Sequence, residues 1–70
     1  MIIFTEHARK RMRERDILRV DAIAAVKEPD SVYDEEGGTR LYRKKLTNHT
    51  LEVVTEFRGK RIIIVTLYWI

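Results

Sequence analysis

One histidine and two arginines follow one another at intervals of four along the first amphipathic segment: His7, Arg11 and Arg15. An imidazole exchanges protons near neutral pH, and a guanidinium binds phosphate oxygens through paired N–H groups. On a helix that advances about 100° per residue, the three side chains form one row along an apolar stripe. The row therefore predicts acid–base chemistry at a phosphate group.

Each of these residues also has a structural alternative. His7, near the start of the segment, can bond a strand carbonyl. Arg15 points toward the apolar stripe, where a charged group needs a partner such as Glu52 or Glu56. Tyr68 can supply a hydroxyl donor or a stacking surface, or it is an ordinary strand residue without a chemical role. The sequence alone leaves both interpretations open.

A second basic cluster occupies residues 40–45, Arg-Leu-Tyr-Arg-Lys-Lys. Strand alternation sends Arg43 and Lys45 to one face and Arg40 and Tyr42 to the other. A basic strand with an interleaved aromatic residue can bind a sugar–phosphate backbone while one base stacks. The alternative is an edge strand whose lysines prevent aggregation.

Two helices are expected to position the first row. Thr5 suits an N-cap, because its hydroxyl can accept a backbone N–H bond. A second helix is predicted over 19–27, since Pro29 prevents its continuation. The short joint between them predicts a helical hairpin or corner.

From residue 30 onward the pattern changes to strands, predicted at 31–33, 39–46, 51–58 and 61–69. The last one is apolar on both faces, which favours a central strand or one covered by a partner. We therefore expect an α+β fold, with two N-terminal helices on one face of a four-stranded antiparallel meander. The predicted core is Phe4, Ala8, Met12, Ile17, Val20, Ile23, Ala24, Leu51, Val53, Phe57, Ile63, Val65 and Leu67.

Composition limits the remaining possibilities. The 70 residues suffice for one domain, 1–70, and the net charge of +3 fits a polyanion such as RNA or DNA. With no cysteine and two histidines, neither a disulfide, a metal site nor a cofactor is expected. The longest apolar stretch, 62–70, is too short to cross a bilayer, and no signal peptide is evident. These features predict a cytoplasmic protein without membrane contact.

An N-terminal motif resembles the signature of a widespread family of small prokaryotic proteins of unknown function. The motif is Thr5-x-His7-Ala8-x-x-Arg11-Met12-x-x-Arg15-x-Ile17. Pro29 and the strands at 51–54 and 63–66 fit the same pattern, so the resemblance covers nearly the whole chain. One departure is Leu18, where the family usually has serine. That family looks related to the RelE-like ribonuclease toxins, which share two N-terminal helices and a four-stranded antiparallel sheet.

The resemblance implies metal-independent RNA cleavage by the toxin half of a toxin–antitoxin pair. His7 would carry the proton, Arg11 and Arg15 would bind the phosphate, and Tyr68 or Tyr42 would donate a hydroxyl. A non-catalytic module that binds nucleic acid or protein is the alternative, and a homodimer formed through the C-terminal strand is a third possibility. An enzyme should gather His7, Arg11 and a tyrosine around one cleft, whereas a binding module should show a broad basic surface.

Overall fold

Two helices pack on one face of a five-stranded mixed sheet. The computed structural model describes residues 1–70. Its elements are β1 (Ile2–Phe4), α1 (Glu6–Arg15), α2 (Arg19–Lys27), β2 (Ser31–Glu35), β3 (Thr39–Lys45), β4 (Thr50–Arg58) and β5 (Arg61–Trp69), with a short 3₁₀ turn (Glu36–Gly38) between β2 and β3. The α+β class and both helices are thus confirmed.

The sheet differs from the predicted four-stranded antiparallel meander by one strand. Its order is β1-β5-β4-β3-β2, and β1 lies parallel to β5, with Ile3 opposite Ile63. The four later strands do form the expected meander. A three-residue strand carries no readable alternation, so its pairing with a strand about sixty residues away could not be predicted. β5 is a central strand at residues 62–64, where β1 and β4 pair with it on opposite sides. No strand pairs with its outer edge beyond Ile64, so a homodimer through β5 stays a prediction.

The first helix begins at a well-formed cap. The Thr5 hydroxyl accepts the Ala8 N–H at 3.0 Å, as predicted, and donates to the Val65 carbonyl at 3.1 Å. The helix ends at Asp16, whose left-handed φ of 53° allows its N–H to bond the Met12 carbonyl. These contacts attach α1 to β5, while α2 packs against β3 and β4.

A bulge in β5 changes which residues enter the core. Val54 faces Thr66, but the next residue of β4, Thr55, faces Ile64, so Val65 is an extra residue. Ile64 and Leu67 are consequently both fully buried beneath the helices. The prediction that Ile63 and Val65 lie in the core is wrong, because simple alternation fails across a bulge.

Two other predicted core residues are exposed. Val20 is 66% exposed, because α2 turns Ala22, Ala25 and Val26 toward the sheet. Small alanine side chains let the helix approach the strands closely. Phe57 is 43% exposed at the far end of β4, where the guanidinium of Arg40 lies 4.9 Å from its ring centre.

The sheet face without helices is called the open face below. It carries Tyr33, Leu41, Arg43, Glu52, Val54, Thr66 and Tyr68, as their register shows. The opposite face carries the buried side chains of Tyr42, Leu51, Val53 and Leu67.

We expect Leu18→Ser to stabilise the protein. Leu18 is the N-cap of α2, is 61% exposed and provides no side-chain cap bond. A serine there can accept a backbone N–H of the first turn, which typically contributes about 1 kcal/mol. The free energy of unfolding in urea should rise by that amount. Leu18→Ala is the matched control, because it removes the same apolar surface without adding a cap, and an equal gain there would contradict capping.

Candidate functional site

A buried carboxylate lies near the middle of the open face. Glu52 is only 3% exposed, although no helix covers this side of the sheet. Its Oε1 accepts the Arg43 Nε–H at 2.6 Å, and its Oε2 accepts the Tyr68 hydroxyl. Both carboxylate oxygens therefore have a protein donor, as a buried charge requires.

Three neighbouring strands bring this cluster together. Arg43 on β3 faces Glu52 on β4, which in turn faces Tyr68 on β5. Directly opposed residues have Cβ atoms about 4.5–5.5 Å apart, so long side chains on one face must meet. The strand register, rather than any loop, sets the geometry, and such sites are held more precisely than sites on loops.

Arg43 connects the cluster to solvent. Its guanidinium carbon lies 4.7 Å from the ring centre of Tyr33 on the edge strand β2, and its side chain is 41% exposed. A guanidinium has five N–H donors, and Glu52 takes only the one on Nε. The remaining donors can therefore bind an anion at the surface while the arginine stays anchored.

The cluster also changes proton affinities. The hydrogen bond to Glu52, and secondarily burial, raises the pKa of the Tyr68 phenol above its ordinary value. The hydrogen bond to Glu52 likewise raises the pKa of Arg43. At neutral pH the cluster therefore contains a protonated phenol and a cation on the same carboxylate.

The Tyr68 shift predicts a loss of stability at alkaline pH. Because the folded pKa lies above the unfolded value of about 10, this group's contribution is complete below pH 10 and is lost as the pH rises through the folded pKa. Ultraviolet titration of phenolate in the wild type and in Tyr68→Phe isolates this residue by difference. A difference curve centred at the pKa of the urea-unfolded chain would contradict the hydrogen bond.

The structure does not bring the predicted catalytic residues together. Tyr68 lies on the open face, while His7 is exposed on α1, on the other side of the sheet, and makes no hydrogen bond. Arg11 pairs with Glu14 of its own helix at 2.5 Å. Arg15 is exposed and donates to the Leu67 carbonyl at 2.9 Å. The predicted carboxylate partner for Arg15 is wrong, because Glu52 and Glu56 point to the opposite face.

The predicted nucleic-acid-binding strand is divided between the two faces. Arg40 pairs with Asp34 at 2.5 Å. Tyr42 exposes only 6% of its surface and belongs to the core, so the prediction that its ring is open to a base is wrong. Lys45 alone has an exposed side chain without an ion-pair partner. Most of the basic side chains of β3 are therefore already paired with an acidic residue or hydrogen-bonded to another part of the chain.

A basic recess lies instead on the outer side of α1. It is lined by Glu6, His7, Arg9, Lys10 and Arg13, without any apolar side chain. None of its four basic residues is in an ion pair. The recess can therefore attract anions, although no tyrosine or buried carboxylate adjoins it.

The sequence alone did not assign Glu52 to a site. It was named there only as a structural partner for Arg15. The usable signal was the shared strand parity of Glu52 and Tyr68, together with an arginine on the preceding strand. The alternation of side chains along a strand does not give the register between β3 and β4, and it is this register that makes Arg43 the direct neighbour of Glu52.

No three His, Cys, Asp or Glu side chains are grouped so that they could hold a metal ion. The helices are also too short and too polar for any of them to cross a membrane.

The fold and site define a small α+β domain with a polar cluster on its uncovered sheet face. A family model for a domain of unknown function, DUF4258, matches residues 4–69, and the chain belongs to that family. Searches of the curated proteins and of the solved structures found no match.

Proposed function

We propose that the protein is a metal-independent endoribonuclease that uses Glu52, Tyr68 and Arg43 on the open face. The supporting observation is the buried Glu52 carboxylate held between a phenol and a guanidinium. Buried charges are costly and concentrate at functional sites, and replacing such a group with apolar residues is often neutral or stabilising. A cluster kept for stability alone has no need for a solvent-facing arginine.

The chemistry balances with these three side chains. The ribose 2′-oxygen attacks the adjacent phosphorus, and the bond from phosphorus to the 5′-oxygen breaks. Tyr68 turns its O–H from the Glu52 carboxylate to the departing 5′-oxygen and donates its proton there, and the Glu52 oxygen that this frees accepts the proton of the 2′-hydroxyl. The proton then returns from Glu52 to Tyr68 along their hydrogen bond, so no other reactant is needed. The products are a 2′,3′-cyclic phosphate and a 5′-hydroxyl.

Arg43 has a separate task in this reaction. The pentavalent phosphate carries extra negative charge, which fixed cations stabilise. The free N–H groups of Arg43 lie beside the acid and the base, and Tyr33 holds the guanidinium from the other side. The phenol of Tyr68, whose pKa the hydrogen bond to Glu52 raises, is protonated at neutral pH, as a general acid must be.

The proposal includes a RelE-like toxin role, with an antitoxin as partner. Its support is the N-terminal motif together with the order of two helices followed by the four-stranded meander. An adjacent reading frame for a small acidic or DNA-binding protein, whose product suppresses growth arrest on co-expression, is the expected genetic result. Growth unaffected by expression of this chain alone would count against a toxin.

The direct test of cleavage uses purified protein with messenger RNA, with and without ribosomes, in excess EDTA. We expect fragments that end in 2′,3′-cyclic phosphate and begin with 5′-hydroxyl. A Tyr68→Phe preparation made in parallel excludes a contaminating nuclease. Intact RNA under both conditions would reject the enzyme and leave the non-catalytic module.

A non-catalytic nucleic-acid-binding module is the second candidate, and the basic recess on α1 favours it. Lysine and arginine side chains without ion-pair partners bind phosphates by releasing counterions. A binding module of this kind does not need His7 and a tyrosine to lie close together.

We expect Lys10→Gln to weaken RNA binding and make it less salt-dependent. Losing one phosphate contact should reduce the slope of log affinity against log salt by about 1. Lys60→Gln, in the turn between β4 and β5, is the matched control and should leave the slope unchanged. Equal slopes for the two variants would exclude the recess as a phosphate-binding surface.

A further inference from the structure

A second depression lies between α1 and the start of α2, on the helical side of the molecule. It is a cleft of about 430 Å³ with an apolar floor of Phe4, Met12, Ile17 and Leu18. Arg9, Arg13, Asp16 and Arg19 form its rim. Pockets that hold ligands commonly have this size and combine an apolar lining with a few polar groups.

The rim is strongly unbalanced in charge. Three guanidinium groups face one carboxylate, and none of these four residues takes part in an ion pair. In contrast, Arg11, Arg40, Arg43 and Arg58 all have acidic partners. Of the five arginines without an ion-pair partner, three rim this apolar cleft, where they would complement an anionic ligand, while Arg15 and Arg61 lie elsewhere.

Two of these arginines are already held in place. Arg9 donates to the Phe4 carbonyl at 3.2 Å, and the guanidinium carbon of Arg19 lies 4.5 Å from the Phe4 ring centre. Both keep further N–H donors for a ligand, and less side-chain freedom is lost on binding. Arg13, which makes no hydrogen bond, is free to adapt.

Leu18 is an exposed apolar residue of this cleft at a position where it does not cap the helix. It stands at the N-cap of α2, where serine, threonine, aspartate or asparagine would stabilise the helix, and it is 61% exposed. Its exposed side chain extends the apolar lining of the cleft to the protein surface, which a chain-like ligand would cover better than a small molecule.

We infer that this cleft binds an acidic peptide segment of a partner protein, with one aliphatic side chain inserted above Met12 and Leu18. The carboxylates of the segment pair with Arg9, Arg13 and Arg19. RNA fits less well, because the one aromatic ring in the cleft, Phe4, is 5% exposed and is already covered by Arg19. No ring face is left for a base to stack on.

This inference does not depend on RNA cleavage, because the cleft and the Glu52 cluster lie on opposite sides of the sheet. The probe is the blocked peptide Glu-Glu-Leu-Asp-Leu-Glu, titrated into isotope-labelled protein and followed by amide chemical shifts. Its controls replace both leucines with serine, or all acidic residues with lysine. Shifts are expected at the cleft with the acidic leucine peptide only.

Variants separate binding from folding. Leu18→Ser should weaken the peptide by about tenfold while the fold remains intact, and Arg13→Gln should weaken it severalfold. Arg61→Gln, at the start of β5, is the matched charge control and should bind like the wild type. Equal binding of the leucine-free peptide, or no shifts at the cleft at the highest peptide concentration, would overturn the inference. So would an oligouridine that displaces the peptide and is indifferent to Leu18→Ser, because the surface would then be a nucleic-acid site.

Discussion

Tyr68→Phe is expected to lower the rate of RNA cleavage by about 10²–10⁴-fold, the usual contribution of a general acid. The substitution removes one oxygen and keeps the ring that lies on the open face. RNA affinity should change little, because Arg43 and the basic recess keep their charge. The measurement is single-turnover cleavage, together with RNA affinity and the urea midpoint of the same preparation.

Tyr42→Phe is the matched control, since it makes the same chemical change on the opposite face of the sheet. Tyr42 is part of the core and has no route to an RNA bound at Glu52. Its variant should cleave at the wild-type rate. Cleavage that survives Tyr68→Phe but disappears in His7→Ala would move the reaction to α1 and reject the proposed site.

Ile64→Ala is expected to cost about 2–5 kcal/mol of unfolding free energy, as burial of a large aliphatic side chain implies. Ile64 is fully buried in β5, and its carbonyl accepts the Thr5 N–H at the start of α1. A core of this size rarely supplies more than about 3–5 kcal/mol. The variant should therefore be largely unfolded, as circular dichroism and a urea titration would show.

Ile63→Ala is the control for the Ile64 prediction. Ile63 is the same residue type one position earlier in β5. It is half-buried, lies on the open face and is paired with Glu56 of β4. It should cost about 1 kcal/mol, in the ordinary range for partly exposed positions. If Ile63→Ala were the more damaging change, the core would follow simple alternation and the bulge at Val65 would be wrong.

Local sequence patterns were sufficient to predict most individual elements. The cap at Thr5, the end of the second helix before Pro29 and the later strands depend on residues close together in the chain. Each such signal acts within a few residues, through one hydrogen bond, one fixed dihedral angle or one alternating pattern. That is why they could be recognised without knowledge of the fold.

Local sequence patterns identified only part of the candidate site. Tyr68 and Arg43 were recognised as chemically capable residues, but they were assigned to different sites. Glu52, which joins them, was named only as a structural partner for Arg15. A carboxylate becomes useful only when its neighbours are known, and those neighbours come from three strands in one register.

The sequence by itself therefore determined the helices, the meander and the residues with reactive side chains. Only the tertiary structure decided that β1 joins the sheet, that Val65 forms a bulge, and that His7 and Tyr68 lie on opposite sides. These features arise from pairing between distant segments, whose free energy depends on the packing of the whole sheet. Because a one-residue shift reverses every side chain beyond it, the bulge at Val65 put Ile64 in the core and Ile63 on the open face.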